Sequence, residues 1–580
     1  MLHKFHIPVM GLAYTIDSPV KVARFGISSV ISIIEDRLIE MMRSHYYPQL
    51  NEPYHAISSK EPDYRARRIT DYLNLVNRMV QEQVERLRQA AFEAGSEIVK
   101  YFEMLPDDSR IKQLYLQMTG TEDPGARASL QEHLRGQIRP GSIDVNIMTK
   151  TDKNNYHADG SLVEDGSDAV AALRGYVNSN LEGSSIVFSA GMNPRLYNYL
   201  ERCRQFDADE NGAFRKKIII KVSDYRSALI QGKYLAKKGI WVSEFRIESG
   251  LNCGGHAFAT DGYLMGPILE EFRHLKQELV DSLFSLYTAA LAKRGAQVPA
   301  APPPLSISAQ GGIGSYAEQR MLREHYGMSS TGWGTPFLLV PEATTVDAHT
   351  LQQLCKARRE DVTLSHHSPM GVRFHYLKGL SGEAERLQRI QDGKPGSPCT
   401  EKHLSFNTEF TEKPICTASI QYQRLKIAQL KKSDLPAEEY QAQLEYVLGK
   451  ECLCTGLSNA AAIQYNTTLV KNQRAVTVCP GPNIAYFNRE VSLQEMTDHI
   501  YGRTNIVEDE RRPHMFIAEL RLYITYFMEQ RQADKSPKYL ETFRENLLQG
   551  ISYYRNLHGS GVIRDEHFST MLDEAEAQIR

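Results

Sequence analysis

The 580-residue chain contains no apolar run approaching the roughly 20 residues of a membrane helix, and its start has no basic stretch followed by an apolar one. The expectation is a soluble, cytoplasmic protein. An excess of either charge is also missing: 68 Lys and Arg against 70 Asp and Glu leave a formal charge of −2. No global field therefore draws the chain to nucleic acid or to an anionic membrane, although local contacts can still hold a small anionic ligand. Cysteine is sparse, with eight residues, too few for a disulfide scaffold. No repeat of fixed period is found. The length suits one large domain with insertions, or two to three domains.

What is present is a rhythm of short apolar or β-branched runs separated by helix-like stretches. The first four are HIPVMGLAY (6–14), ISSVISII (27–34), SIDVNIMT (142–149) and SSIVFSAG (184–191). Four more follow: KKIIIKVS (216–223), WVSEFRI (241–247), LSISAQGG (305–312) and GWGTPFLLV (332–340). Eight strands alternating with helices predict an α/β (β/α)₈ TIM barrel. The runs mostly lack polar alternation, as parallel strands covered on both faces do. An open doubly wound sheet would show similar runs.

The barrel is assigned to 1–50 and 141–380. Residues 51–140 carry apolar positions at helical spacing with charges between them and are read as a helical insertion. The Pro-rich stretch GAQVPAAPPPLSIS stops a helix and extends the chain into the seventh strand. After about residue 380 the strand rhythm ends. A cysteine-bearing segment is expected over 381–506, and a helical region over 507–580.

The motifs that carry chemistry lie at the C-terminal ends of these strands, the face where such barrels build their sites. In ESGLNCGGHAFA (248–259), Gly254 and Gly255 allow positive φ or close approach, and His256 offers a ring that titrates near neutral pH. A tight turn with a hydrogen-bonded histidine is the plainer reading. SAQGGIGSYAEQRML places Gly311 and Gly312 before a helix, and STGWGTPFL places Gly334 beside Thr335. Exposed N–H groups at such turns form a phosphate site without a basic side chain, and the seventh and eighth strands are where barrel phosphates usually sit.

This ordered set resembles the nitronate monooxygenase (2-nitropropane dioxygenase-like) family of FMN-binding TIM barrels, related to flavin-dependent enoyl reductases. The resemblance is carried by IPVMGLAYTIDSPVKVARFGISSVISI, DVNIM, GLNCGGHA, ISAQGGIGSYAEQRML and GWGTPFLLVPEA. VTLSHHSPMGVRFHYLKG is similar to the segment that closes the family domain. It covers roughly 1–50 and 140–380. The resemblance implies that Met10 and Gly11 lie against the flavin and that Asn146 hydrogen-bonds it. It further implies that Lys221 reaches the ring or phosphate, that Gly311, Gly312, Gly334 and Thr335 hold the phosphate, and that Gly254 and Gly255 flank the ring. His256 would then stand at the reactive edge as acid, base or substrate anchor. Asn146 read alone is equally a strand-end turn residue, and Lys221 a solvated one.

Two departures bear on the substrate. Where the family has Glu-Ala-Gly-Gly this chain has Asn252-Cys253-Gly254-Gly255, and Phe258 replaces a glycine. The pocket wall is changed, which sets nitronate itself in question. Cys253 reads as a small buried filler or a reactive thiol. His366 and His367 lack metal-ligand spacing and suit a loop near the mouth.

Five cysteines are concentrated late in the chain: Cys399, Cys416, Cys452, Cys454 and Cys479. Small neighbours and the Cys479-Pro480 step suit four thiolates around a 4Fe-4S cluster; zinc and simple packing are the other readings. The resulting expectation is an FMN-dependent oxidoreductase, monooxygenase or reductase, acting on a small organic substrate. A cluster would relay electrons from an electron-transfer partner. A homo-oligomer remains open. The alternatives are a phosphate-ligand barrel isomerase or lyase, and a barrel that binds without catalysis.

Overall fold

The computed structural model describes residues 2–149, 152–157, 159–210, 212–254, 261–398, 400–507, 509, 511–533 and 535–580. Eight parallel strands close into a barrel: β1 (Phe5–Ile7), β2 (Ser28–Ser32), β3 (Ile143–Ile147), β4 (Ser184–Phe188), β5 (Lys216–Val222), β6 (Glu244–Glu248), β7 (Ser306–Gln310) and β8 (Ser330–Gly332). Each pairs with the next, and β8 closes on β1 through Phe5 opposite Thr331. The fold is therefore the TIM barrel expected from the strand rhythm. Among the described residues no helix is long and apolar enough to cross a membrane.

Strand eight lies earlier than the apolar run suggested. The ladder uses Ser330–Gly332, and the run after it becomes a buried 3₁₀ turn over Thr335–Leu339. Pro336 has no N–H to give a ladder and fixes φ for a tight helical turn. The strand face turned into the barrel is small and polar instead.

The alternation of side chains along each strand explains the interior. Every second residue of β6 (Glu244, Arg246, Glu248) is polar, as are Asp144 and Asn146 on β3 and Ser308 and Gln310 on β7. Their intervening residues, such as Phe245, Ile247, Val145 and Ile307, are buried in the layer between sheet and helices. Inside, Arg246 pairs with Glu244 at 2.8 Å, with both side chains almost wholly buried. Above this charged layer Val30, Val187 and Ile219 form a small apolar plug, with Val9 against it.

Helix Tyr64–Gln89, within the insertion, packs on the barrel's outer layer. Its buried Ile69, Tyr72, Leu73, Val76 and Val80 follow helical spacing. Gly175, on helix Asp168–Asn178, permits the approach, because a Cβ there would stand 2.8 Å from the Ala66 carbonyl oxygen. After the barrel, β9 (Val362–Ser365) and β10 (Phe374–Leu377) form an antiparallel hairpin. The C-terminal helices Met515–Gln532, Pro537–Gly559 and Phe568–Ile579 share one continuous apolar core with the barrel. Asp17 ties the extension to the first turn of the barrel, accepting from the hydroxyls of Tyr46, Thr345 and Tyr465.

Candidate functional site

The uppermost inward-facing residues of the strands form the floor of a cavity at the barrel's C-terminal mouth. Asn146, Lys221, Glu248 and Asn252 supply its polar side, and Val9, Leu12, Ile34 and Met148 part of its apolar wall. Its roof comes from the extension: Phe374, His403, Leu404, Leu453, Cys454 and Leu457. The cavity has a volume of about 140 Å³.

Glu248 organises the floor. Its Oε1 accepts from Lys221 Nζ at 3.0 Å, Asn252 Nδ2 at 2.6 Å and Gln310 Nε2 at 2.7 Å. Three donors on one oxygen fix the carboxylate and, with it, the lysine ammonium beside the cavity. Asn146 is 4% exposed, and its Oδ1 makes no hydrogen bond among the described residues. A buried amide oxygen without a partner costs about 1–3 kcal/mol, so such an atom marks a place where a ligand or water completes the bonding.

The glycines of the first and sixth strand ends meet at the rim. Gly11 N–H donates to Gly254 O at 3.2 Å, and Gly254 N–H donates to Cys479 O at 2.9 Å. Gly254 has φ +76°, and a Cβ on it would lie 2.4 Å from both Gly11 N and Met10 Cα. Glycine is therefore required there. Gly11 and Gly254 line the cavity; Met10 is buried behind them, its Sδ near Gly334. Gly255 and His256 lie outside the described residues, as does Cys399.

The turns after β7 and β8 form a second feature. Gly311 and Gly312 have φ +106° and +79°. Among the hydrogen bonds of the described residues, the N–H groups of Gly312, Ile313, Gly334 and Thr335 donate to none of the chain's acceptors. Consecutive unpaired N–H groups at a glycine turn make an anion nest. The carbonyls of Gly312 and Ile313 face the extension, where Asn483 Nδ2 and Arg512 donate to them. Thr335 departs from the expected role: its hydroxyl donates to Pro480 O at 2.6 Å, so only its backbone is left for an anion. The N-terminus of helix Tyr316–Glu324 is also engaged, since Glu318 accepts from Gly314 and Ser315 N–H and pairs with Arg512 at 2.9 Å.

Four of the five late cysteines, Cys416, Cys452, Cys454 and Cys479, lie in the described residues. Cys454 lines the mouth, Cys452 a separate cavity with Arg386 and Lys450, and Cys479 packs with Phe374, Tyr376 and Leu453. Among the described residues, the one group of three or more ligating atoms lying within 4.8 Å of one another is Glu35, Glu401 and His403, which contains no cysteine. Cys253 is a buried filler: its Sγ lies 3.2 Å from Cys479 O, and burial raises its pKa well above the usual thiol value. His367 stacks on Tyr376 at 4.3 Å, and neither it nor His366 lines the mouth.

Sequence reading did not single out Glu248, Gln310 or the roof residues. The first two were visible as the last polar members of the alternating strands EFRIE and SISAQ. A buried histidine was missed as well. His375 Nε2 donates to Gly250 O at 2.9 Å, and burial lowers its pKa to about 4, so the ring is neutral and anchors the turn after β6.

No protein-family model matches the chain, and no curated protein matches it. Among solved structures it is similar to the enoyl reductase domain of MlnA from the macrolactin biosynthesis cluster of Bacillus amyloliquefaciens. That match has 14% identity and a TM-score of 0.32, covering 73% of this chain and 94% of that one. It is also similar to nitroalkane oxidase from Streptomyces ansochromogenes, at 11% identity and a TM-score of 0.27, covering 66% of this chain and 85% of that one. At these values neither likeness carries an argument about cofactor or reaction.

Proposed function

We propose that the protein is a flavin-dependent oxidoreductase acting on a small organic substrate at the barrel mouth, with FMN as the flavin. The observation that carries this reading is unmet hydrogen bonding at two places that a flavin mononucleotide would satisfy together. A buried Asn146 Oδ1 stands at the floor of a cavity with apolar walls, and unpaired N–H groups stand outside that lining at the β7 and β8 turns. An aromatic ring with a polar edge suits the first, and a phosphate the second.

A bound flavin would supply hydride or single-electron exchange. The chain's own residues would hold and orient it. Asn146 accepts a ring N–H, and Lys221, fixed by Glu248, places a positive charge at the polar edge. The nest at Gly312–Ile313 and Gly334–Thr335 receives the phosphate. The roof formed by Phe374, Leu404, Leu453 and Leu457 excludes water from the cavity. His256, two residues beyond Gly254, is assigned the acid, base or anchoring role at the substrate. Four of Cys399, Cys416, Cys452, Cys454 and Cys479 would hold an iron–sulfur cluster that supplies single electrons to the flavin.

Separate titrations with FMN and riboflavin, followed by quenching of flavin fluorescence, test this assignment. FMN binds more tightly than riboflavin because only FMN reaches the nest. Asn146→Leu weakens both by about tenfold, the worth of one buried hydrogen bond. Equal affinity for the two flavins would remove the nest from the account, and an unchanged Asn146→Leu would remove the ring contact.

A further inference from the structure

Glu35, Glu401 and His403 come together although 366 or more residues separate the first from the other two. Glu35 follows β2 and caps helix Asp36–Tyr46 with its Oε2, which accepts from Leu38 N–H. Its Oε1 is left facing the extension, 3.3 Å from His403 Nε2. Glu401 lies beside them, with its Oε2 2.9 Å from Arg37 Nε. The carboxylate side chains are 2% and 8% exposed, and the imidazole 17%.

Two nearly buried carboxylates and an imidazole whose ligating atoms lie within 4.8 Å of one another are a ligand set, and they differ from a solvated acidic patch in containing a nitrogen donor. The separation of His403 and Glu35 suits it as well. Two donors each about 2.1 Å from one ion at a tetrahedral angle stand about 3.4 Å apart. A cavity of about 20 Å³ adjoins His403, lined also by Ile33, Ile34, Arg65 and Lys153, with room for one water.

We infer that Glu35, Glu401 and His403 bind a first-row divalent cation, of the Mn²⁺ or Zn²⁺ kind, at the rim of the barrel mouth. Imidazole with carboxylates selects these ions over Ca²⁺ and Mg²⁺, which prefer oxygen alone. The ion joins the end of β2 to the extension. His403 and Leu404 both line the mouth cavity, so the ion holds part of the roof in place. This inference does not rest on the flavin reading.

The test is a titration of the full chain with Mn²⁺ alone, followed by loss of the free-ion electron paramagnetic resonance signal. Mn²⁺ is chosen because thiolates bind it poorly, which keeps the cysteines out of the measurement. The wild type binds one ion per chain, and His403→Ala and Glu401→Gln each weaken it at least tenfold while circular dichroism is unchanged. Glu401 and His403 sit in a loop of the extension, so at least one of these variants retains the fold. Absence of Mn²⁺ binding by the wild type, or equal binding by wild type and both variants, overturns the assignment.

Discussion

Gly254→Ala destabilises the protein by about 3 kcal/mol and abolishes flavin binding. Two terms combine. An L side chain at φ +76° costs about 1–2 kcal/mol, and the new Cβ would lie 2.4 Å from the backbone of Met10 and Gly11, a clash no side-chain rotation relieves. The backbone must part there, breaking the bonds from Gly11 N–H to Gly254 O and from Gly254 N–H to Cys479 O. Those bonds hold the first strand end, the sixth strand end and the extension together at the mouth. Gly183 provides the control: it has φ +63° but nothing within 4 Å of its ideal Cβ. Gly183→Ala therefore shows the conformational cost alone, about 1 kcal/mol, and leaves flavin binding intact. Urea denaturation of the two variants measures the difference; equal losses would mean that the close approach at Gly254 does not constrain the mouth.

Glu519→Gln stabilises the protein above pH 7 by up to about 3 kcal/mol and has little effect near pH 4.5. Glu519 is 2% exposed on helix Met515–Gln532. It accepts from Ser249 Oγ at 3.0 Å and from Met265 N–H at 2.7 Å. Burial outweighs these bonds and raises its pKa to about 7. A carboxyl with a higher pKa folded than unfolded binds its proton more tightly in the native state. Its contribution is complete below the unfolded value near 4.5 and is lost as pH rises through about 7. Glutamine keeps an oxygen for Met265 N–H and carries no charge to bury. Melting temperatures measured between pH 4.5 and 8 should diverge, with the wild type falling below the variant as pH rises. Parallel curves would show that Glu519 stays ionised throughout.

The barrel was legible because each strand is a short buried run bounded by glycine, proline or polar residues: five of the eight runs contain a whole strand of the ladder, and the first and sixth overlap theirs by all but one residue. Strand eight lies ahead of its hydrophobic run because the strand itself is small and polar. Ser330 and Thr331 face a polar interior and neighbouring elements, whereas Phe337, Leu338 and Leu339 are buried in a 3₁₀ turn. The same polar interior explains why Glu248 and Gln310 escaped notice. EFRIE and SISAQ alternate, and alternation ordinarily signals one solvated face, whereas here the polar face lines the barrel.

The glycine turns were legible for a local reason: positive φ and close approach leave a residue-type signature at a single position. Contacts between the barrel and the extension leave none. Pro480 O on Thr335, Asn483 on Gly312, Glu519 on Ser249 and His403 on Glu35 all join residues more than 100 positions apart. Cys452 and Cys454, two positions apart, line different cavities because residues at a helix start point in different directions.

The most direct measurement is the absorbance spectrum of the protein as purified, with the flavin released by acid identified and counted. The account predicts flavin bands and one FMN per chain, released without covalent attachment. A colourless protein that takes up no FMN on incubation would contradict it, and would leave the mouth cavity and its nest to a different phosphorylated ligand.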